Sequence, residues 1–139
     1  MGTLKVCRDW ILVLAACAAC GGPLRYQTAS TGKAPGADAE IEADVSEQQG
    51  QTRLTVSVKN LPPPDRVSPD GQHYVAWYRP GPKGVWQRVA ALAYEAEARE
   101  GTLVCSVPEK QFEFEITAEP AIDVASPSAN VVFVQGIGS

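Results

Sequence analysis

Three glutamates close together, Glu113, Glu115 and Glu119 in "FEFEITAE", are the densest acid chemistry in the chain. Along a strand, Glu113 and Glu115 would stand about 6.6–7 Å apart on one face, a spacing compatible with an inverting glycosidase. A catalytic acid also needs a buried setting that raises its pKa. Here the acids alternate with Phe112, Phe114, Ile116 and Ala118, so they read as the solvated face of a half-buried strand, at most a weak calcium surface. The sole histidine, His73, opens a strand after a turn, and no Gly-x-Ser-x-Gly accompanies it to build a nucleophile–base pair. Cys105 lies between Leu103 and Val107 at ±2 and reads as a small core residue rather than a reactive thiol. Metal-ligand spacing is missing, and Asp70 in "SPDGQ" lacks the companion acids of a calcium loop. The expectation is a domain that is not an enzyme, with no catalytic residue, no metal site and no cofactor.

One set of residues suggests binding. Trp77 in "YVAWY" is expected to point into the core of a central strand, which leaves Tyr74 and Tyr78 on the opposite, outward face. With Trp86 after the Pro80–Gly84 loop they would form a flat aromatic platform for a sugar ring or a partner protein. Exposure of that row would favour a carbohydrate-binding or hydrolytic accessory protein. A covered row would favour a binding or structural-interaction domain without catalysis.

The elements that must carry these residues show a period of two. Ile41, Ala43 and Val45, then Leu54, Val56 and Val58, then the Phe112–Ala118 series alternate with polar residues, as half-buried strands do. "HYVAWYR", "GVWQRVAALAY", "TLVCSV" and "NVVFVQG" complete a set of about seven, with a short helical turn allowed at 95–99. Pro62-Pro63-Pro64, Pro69-Asp70-Gly71, Pro80-Gly81-Pro82 and Ser126-Pro127-Ser128 punctuate them. Seven short strands in about 100 residues predict an all-β fold, an Ig-like antiparallel β-sandwich over residues 38–139. Residues 21–37, rich in Gly, Pro, Ser, Thr and Ala, read as a flexible linker ahead of it.

The front of the chain addresses location. Lys5 and Arg8 form a basic head, and Trp10–Ala16 is an apolar run far short of the roughly 20 residues a spanning helix needs. That pattern is a secretory signal peptide. Leu14-Ala15-Ala16-Cys17 resembles the lipobox of bacterial lipoproteins, in which the cysteine is acylated and becomes the new N-terminus. The resemblance implies a signal peptide over 1–16, a lipid-anchored linker over 17–37, and palmitate-type acylation at Cys17. Cys20, followed by Gly21-Gly22, is the alternative. Ala18 or Gly21 then occupies the position two after the start, and neither is the Asp that marks inner-membrane retention. This implies a cell outer membrane address facing the periplasm.

Removal of residues 1–16, with Lys5, Arg8 and Asp9, takes the net charge from −4 to about −5. A mildly acidic chain lacks the basic surface that nucleic acid or anionic lipid requires. Cys105 alone of the four cysteines falls in the body, so the domain has no internal disulfide framework and stands on its core.

"NLPPPDRVSPDGQHYVAWYRP" and "FEFEITAEPAIDVASPSANVVFVQG" together resemble the extracytoplasmic domain of anti-sigma-K-type regulators. The shared features are an Asn/Gly-Leu-Pro loop, a Tyr-x-x-Trp strand, and a late strand ending in Ala-Glu-Pro before a Pro-containing turn, spread over Ile41 to Gly136. The resemblance implies the sandwich and an envelope location. It does not imply sigma-factor control, because the helical sigma-binding part of those regulators has no counterpart in the sequence. The combined expectation is an envelope lipoprotein, held to a membrane by N-terminal lipid, whose partners are an envelope protein or a glycan.

Overall fold

The alternation of β8 (Phe112–Glu119) organises the molecule. Phe112, Phe114, Ile116 and Ala118 point into the core, and β8 pairs antiparallel with β4 (His73–Arg79) and β9 (Val131–Ile137). The computed structural model describes residues 22–138. With β5 (Gln87–Ala91) outside β4, these strands make a four-stranded sheet in the order β5-β4-β8-β9. Facing it is a five-stranded sheet, β1 (Leu24–Ala29), β2 (Asp38–Ser46), β3 (Gln51–Lys59), β7 (Glu100–Val107) and β6 (Ala93–Glu95), in the order β1-β2-β3-β7-β6. Set aside β1, and the four remaining strands opposite β5-β4-β8-β9 reproduce the ABED and C′CFG arrangement of immunoglobulin sandwiches. The fold is the all-β, Ig-like sandwich expected.

Nine strands stand where about seven were expected, for two reasons. "GVWQRVAALAY" is one extended run divided between sheets. Leu92 N–H still donates to the Tyr74 carbonyl at 2.8 Å, and from Ala93 onward the chain pairs with β7 instead. Leu92, nearly buried, fills the corner where the run changes sheets. The helical turn allowed at 95–99 is a tight turn closed by Arg99 N–H on the Glu95 carbonyl, with Arg99 at φ 57°.

The second reason is β1, which corrects the linker reading. Leu24–Ala29 pairs with Asp38–Ala43 throughout, and the 30–37 segment is packed rather than free. Ser30 N–H bonds the Ala37 carbonyl at 3.1 Å, Thr31 N–H reaches the Val132 carbonyl at 2.9 Å, and Ala34 and Ala37 are buried. Small residues that suggest a linker also fit tightly under a sheet. Tyr26 packs on the core and takes the Gly138 N–H at 3.0 Å, tying the first strand to the end of the last. Among the described residues the sandwich therefore starts with Leu24, not near residue 38.

All strand directions follow from this order, so the two ends of the sandwich differ. At the end where β1 enters lie the turns 47–50, 80–86 and 108–111 and the end of β9. At the other end lie the longer connections 30–37, 60–72 and 120–130, together with the turn 96–99. The 60–72 loop contains α1 (Pro64–Val67), one helical turn with Pro64 buried.

Between the sheets Ile41, Leu54, Val56, Val58, Tyr74, Phe114, Ile116 and Phe133 are fully or almost fully buried. The position of Trp77 contradicts the expectation. Ala76 lies opposite Ile116 and Tyr78 opposite Phe114, and residues directly opposite share a face. Tyr74, Ala76 and Tyr78 therefore face the inter-sheet core, and Val75 and Trp77 point out of the sandwich. Even so, Trp77 and Val75 are 0% exposed. A second layer covers them.

Candidate functional site

That outer layer is the chemically distinctive part of the molecule. On the outward face of the four-stranded sheet, β4 presents Val75, Trp77 and Arg79, while β8 presents Glu113, Glu115, Thr117 and Glu119. The 120–130 loop leaves β8 and folds back over this face. Arg88 of β5, opposite Trp77, donates to the Val124 carbonyl at 2.6 Å, and Ser128 N–H donates to Glu119 Oε2 at 2.8 Å. Because β4 lies between β5 and β8, a loop held by both passes beside Trp77.

Under the loop runs a short chain of hydrogen bonds. Trp77 Nε1–H donates to Thr117 Oγ1 at 2.9 Å, and the Thr117 hydroxyl donates to Glu119 Oε2 at 2.6 Å. Glu119 Oε2 thus accepts two hydrogen bonds, which helps a carboxyl group only 2% exposed to be tolerated. At the lower edge Arg79 binds Glu113 Oε1 through Nε at 2.9 Å and through its terminal nitrogen at 2.8 Å. The same guanidinium lies 4.5 Å from the Trp86 ring centroid, a cation–π contact.

Glu115 differs from both neighbours. It is 6% exposed, lies opposite Trp77 on one side and Val134 on the other, and has no hydrogen bond or ion pair among the described residues. Burial, only partly offset by the nearby Arg79, pushes its carboxyl from the ordinary 4.5 up to about 7; Glu113 and Glu119 add to the rise. The reading of Glu113, Glu115 and Glu119 as a solvated face is therefore wrong for Glu115 and Glu119. Alternation located the face correctly, but a loop distant in sequence covers it.

A folded-state carboxyl that holds its proton more tightly than the unfolded chain favours folding at low pH. The contribution of Glu115 to stability is then greatest below pH 4.5, declines as the pH rises through about 7, and levels off above it. At about 1.4 kcal/mol per unit, the rise from 4.5 to about 7 corresponds to a loss of about 3 kcal/mol. Glu115→Gln should remove that slope and leave the variant more stable than the parent at pH 8. Urea midpoints of both proteins at pH 5 and pH 8 measure this, and parallel pH dependences would refute the buried carboxyl.

The predicted aromatic platform does not form. Tyr74 is fully buried: its hydroxyl donates to the Pro62 carbonyl, its ring meets Tyr94 edge-on at 5.4 Å, and burial raises its phenol well above the usual range. The Tyr94 hydroxyl donates to the Leu61 carbonyl at 2.6 Å, so the two tyrosines pin the proline-rich loop. Tyr78 is half-buried with its edge on Phe112 at 6.1 Å, and Trp86 is half-buried against Arg79. Tyr74 and Tyr78 share the core-facing side of β4, and Trp86 lies apart from them against Arg79, so no exposed row is formed.

Cys105 packs against the core, half-buried, and burial pushes its thiol up to about 11, which disfavours the reactive thiolate. His73 is exposed at the start of β4. Among the described residues no three His, Cys, Asp or Glu side chains are grouped to hold a metal ion. Cys17 and Cys20, the expected lipidation positions, lie outside the described residues.

The sequence signal that could have revealed this layer is the central "YVAW" of β4. Four consecutive apolar residues without alternation mean a strand buried on both faces, so something must cover the outer one. Comparison with protein-family models, with curated proteins and with solved structures finds no match to this chain.

Proposed function

We propose that this protein is a bacterial envelope lipoprotein, held by N-terminal lipid, whose Ig-like sandwich is a non-enzymatic binding or structural-interaction module. The observation behind the reading is the position of the anchor relative to the loops. Only Ala18–Pro23 separate Cys17 from Leu24, a reach of at most about 25 Å at 3.3–3.6 Å per residue. The anchored end of the sandwich would therefore stay close to the bilayer. The nine-residue strands β2 and β3 carry the opposite end about 30 Å further out. That outer end holds the longer loops 30–37, 60–72 and 120–130, which a rigid sandwich can present for recognition.

Glu115 has the buried, proton-retaining setting a catalytic acid needs, but the second free carboxyl that glycoside hydrolysis also needs is missing beside it among the described residues. Glu119 is engaged by Thr117 and Ser128, and Glu113 by Arg79, leaving Glu115 as the one free carboxyl of the three. The covered tyrosines remove the feature that would favour a carbohydrate-processing accessory protein. An outer-membrane address facing the periplasm rests on Ala18 or Gly21, rather than Asp, following the acylated cysteine, and the partner class is an envelope protein or a glycan.

Crosslinking the full chain in intact cells tests this. Serine substitutions at the exposed outer-end residues Asp65, Arg66, Asp70, Ile122 and Asp123 should abolish the crosslinked species without shifting the melting transition. Substitutions at Glu47, Gln49 and Lys83 near the anchored end should leave it intact. The opposite pattern would reject presentation through the outer end. Hydrolysis of a glycoside or ester that disappears with Glu115→Gln would reject the non-enzymatic reading.

A further inference from the structure

The 80–86 turn presents the most exposed large apolar side chain among the described residues, Val85, 75% open to solvent. The turn that carries it is tightly made. Gly84 N–H donates to the Gly81 carbonyl at 2.9 Å, and a Cβ on Gly84 would stand only 2.8 Å from Pro80 Cδ. Trp86 follows, half-buried, with the Arg79 guanidinium 4.5 Å from its ring centroid and Arg79 held in turn by Glu113. Val85 is thus displayed from a braced base, and most of its surface meets nothing within the domain.

The same end of the sandwich receives the chain from its N-terminal side. Gly22, Leu24 and Pro80 line one shallow hollow with Asp44, Glu47 and Lys110, so the first described residues and the start of the Val85 turn border a single surface. Leu24 is itself 41% exposed there. With Cys17 or Cys20 acylated, at most about 25 Å of chain separates the lipid from this surface. A tether that short keeps the surface at high effective concentration beside the bilayer. Valine and leucine suit the acyl boundary, and tryptophan favours the headgroup level. Lys83, Lys110 and Arg53 are matched by Asp44, Glu47 and Glu109, so this end has no excess of positive charge to draw an anionic surface.

We propose that Leu24 and the Val85–Trp86 turn rest on the interface of a zwitterionic bilayer, with Val85 entering the boundary between headgroups and acyl chains. The contact is too small to hold the protein on a membrane by itself and acts because the acyl anchor keeps it there. It fixes the sandwich in one orientation and turns the loops 30–37, 60–72 and 120–130 away from the lipid. The inference rests on the reading of the protein as N-terminally acylated, and adds a second, direct contact with the membrane.

The test places the full acylated chain in vesicles of dioleoylphosphatidylcholine that contain a brominated phosphatidylcholine. Once residues 1–16 are removed the tryptophans are Trp77 and Trp86, and Trp77 is 0% exposed, so bromine quenching reports Trp86. Emission should be quenched, and Trp86→Phe should remove the quenching. Val85→Asp should lower the ratio of docked to undocked protein by about tenfold or more, as loss of a buried valine does, with membrane fractionation unchanged. Added phosphatidylglycerol should not strengthen the contact, and high salt should not weaken it. Quenching no greater than in Trp86→Phe, or undiminished in Val85→Asp, would overturn the proposal. So would quenching that requires anionic lipid and vanishes in salt, or Trp86 shielding that grows with protein density and excludes bromine, since a second copy would then cover the turn. The mass of the N-terminal peptide separates the two readings. Acylated protein with unquenched Trp86 rejects the contact and leaves the anchor standing, whereas a peptide without acyl chains rejects both.

Discussion

Replacing Cys17 and Cys20 together with serine is expected to move the protein from the membrane fraction to the soluble exported fraction. The cause is the arithmetic of acyl burial. Each buried CH₂ contributes about 0.8 kcal/mol, one fatty chain gives marginal binding, and two or more give a stable anchor. The sandwich should be indifferent to the change, because its first described strand starts at Leu24 and Cys105 is the free cysteine among the described residues. Single variants assign the position. With Cys17 as the acylated residue, Cys17→Ser alone should release the protein and Cys20→Ser should not; the reverse would move the lipid to Cys20. Fractionation in detergent-free buffer reads the result. A double variant that still sediments with membranes would eliminate the lipid anchor.

Trp77→Ala should destabilise the domain by about 3–5 kcal/mol, the range for large aromatic truncations in packed surroundings. The indole is 0% exposed although it lies outside the inter-sheet core, so its burial depends on the 120–130 loop and the Arg88 contact. Truncation opens a cavity beneath that loop and removes the donor to Thr117, loosening the Glu119–Ser128 attachment as well. The half-buried Trp86, held by Arg79 across its face, should cost about 1 kcal/mol when changed to Ala, a typical value for an exposed cation–π contact. Denaturant midpoints of the two variants decide the matter. Similar losses for both would mean that the loop does not seal Trp77.

Much of the fold was legible because strand alternation is a local property. Phe112, Phe114, Ile116 and Ala118 share a face whatever surrounds them, and the turn-forming Pro, Gly, Asp and Ser residues mark where strands end. From these the sandwich follows, and Cys105 takes its place against the core. Three things needed the tertiary structure. The partner strand of β1 lies beyond a small-residue loop, so composition alone suggested a tether where Leu24–Ala29 pairs with β2.

The inward face of β4 was open for a related reason. Tyr74 to Trp77 is apolar at every position, so periodicity is silent about which parity turns inward. Pairing with β8 settled it by setting Ala76 against Ile116 and Trp77 against Glu115. The covering of that outer face was the third. Alternating glutamates state only that a face is polar; whether water or protein lies over it depends on where an eleven-residue loop returns. The loop returns across β4, caught by Arg88 and Glu119. Local sequence thus determined which side chains act together, and the long-range path of the chain decided that Glu115 lies buried without a partner.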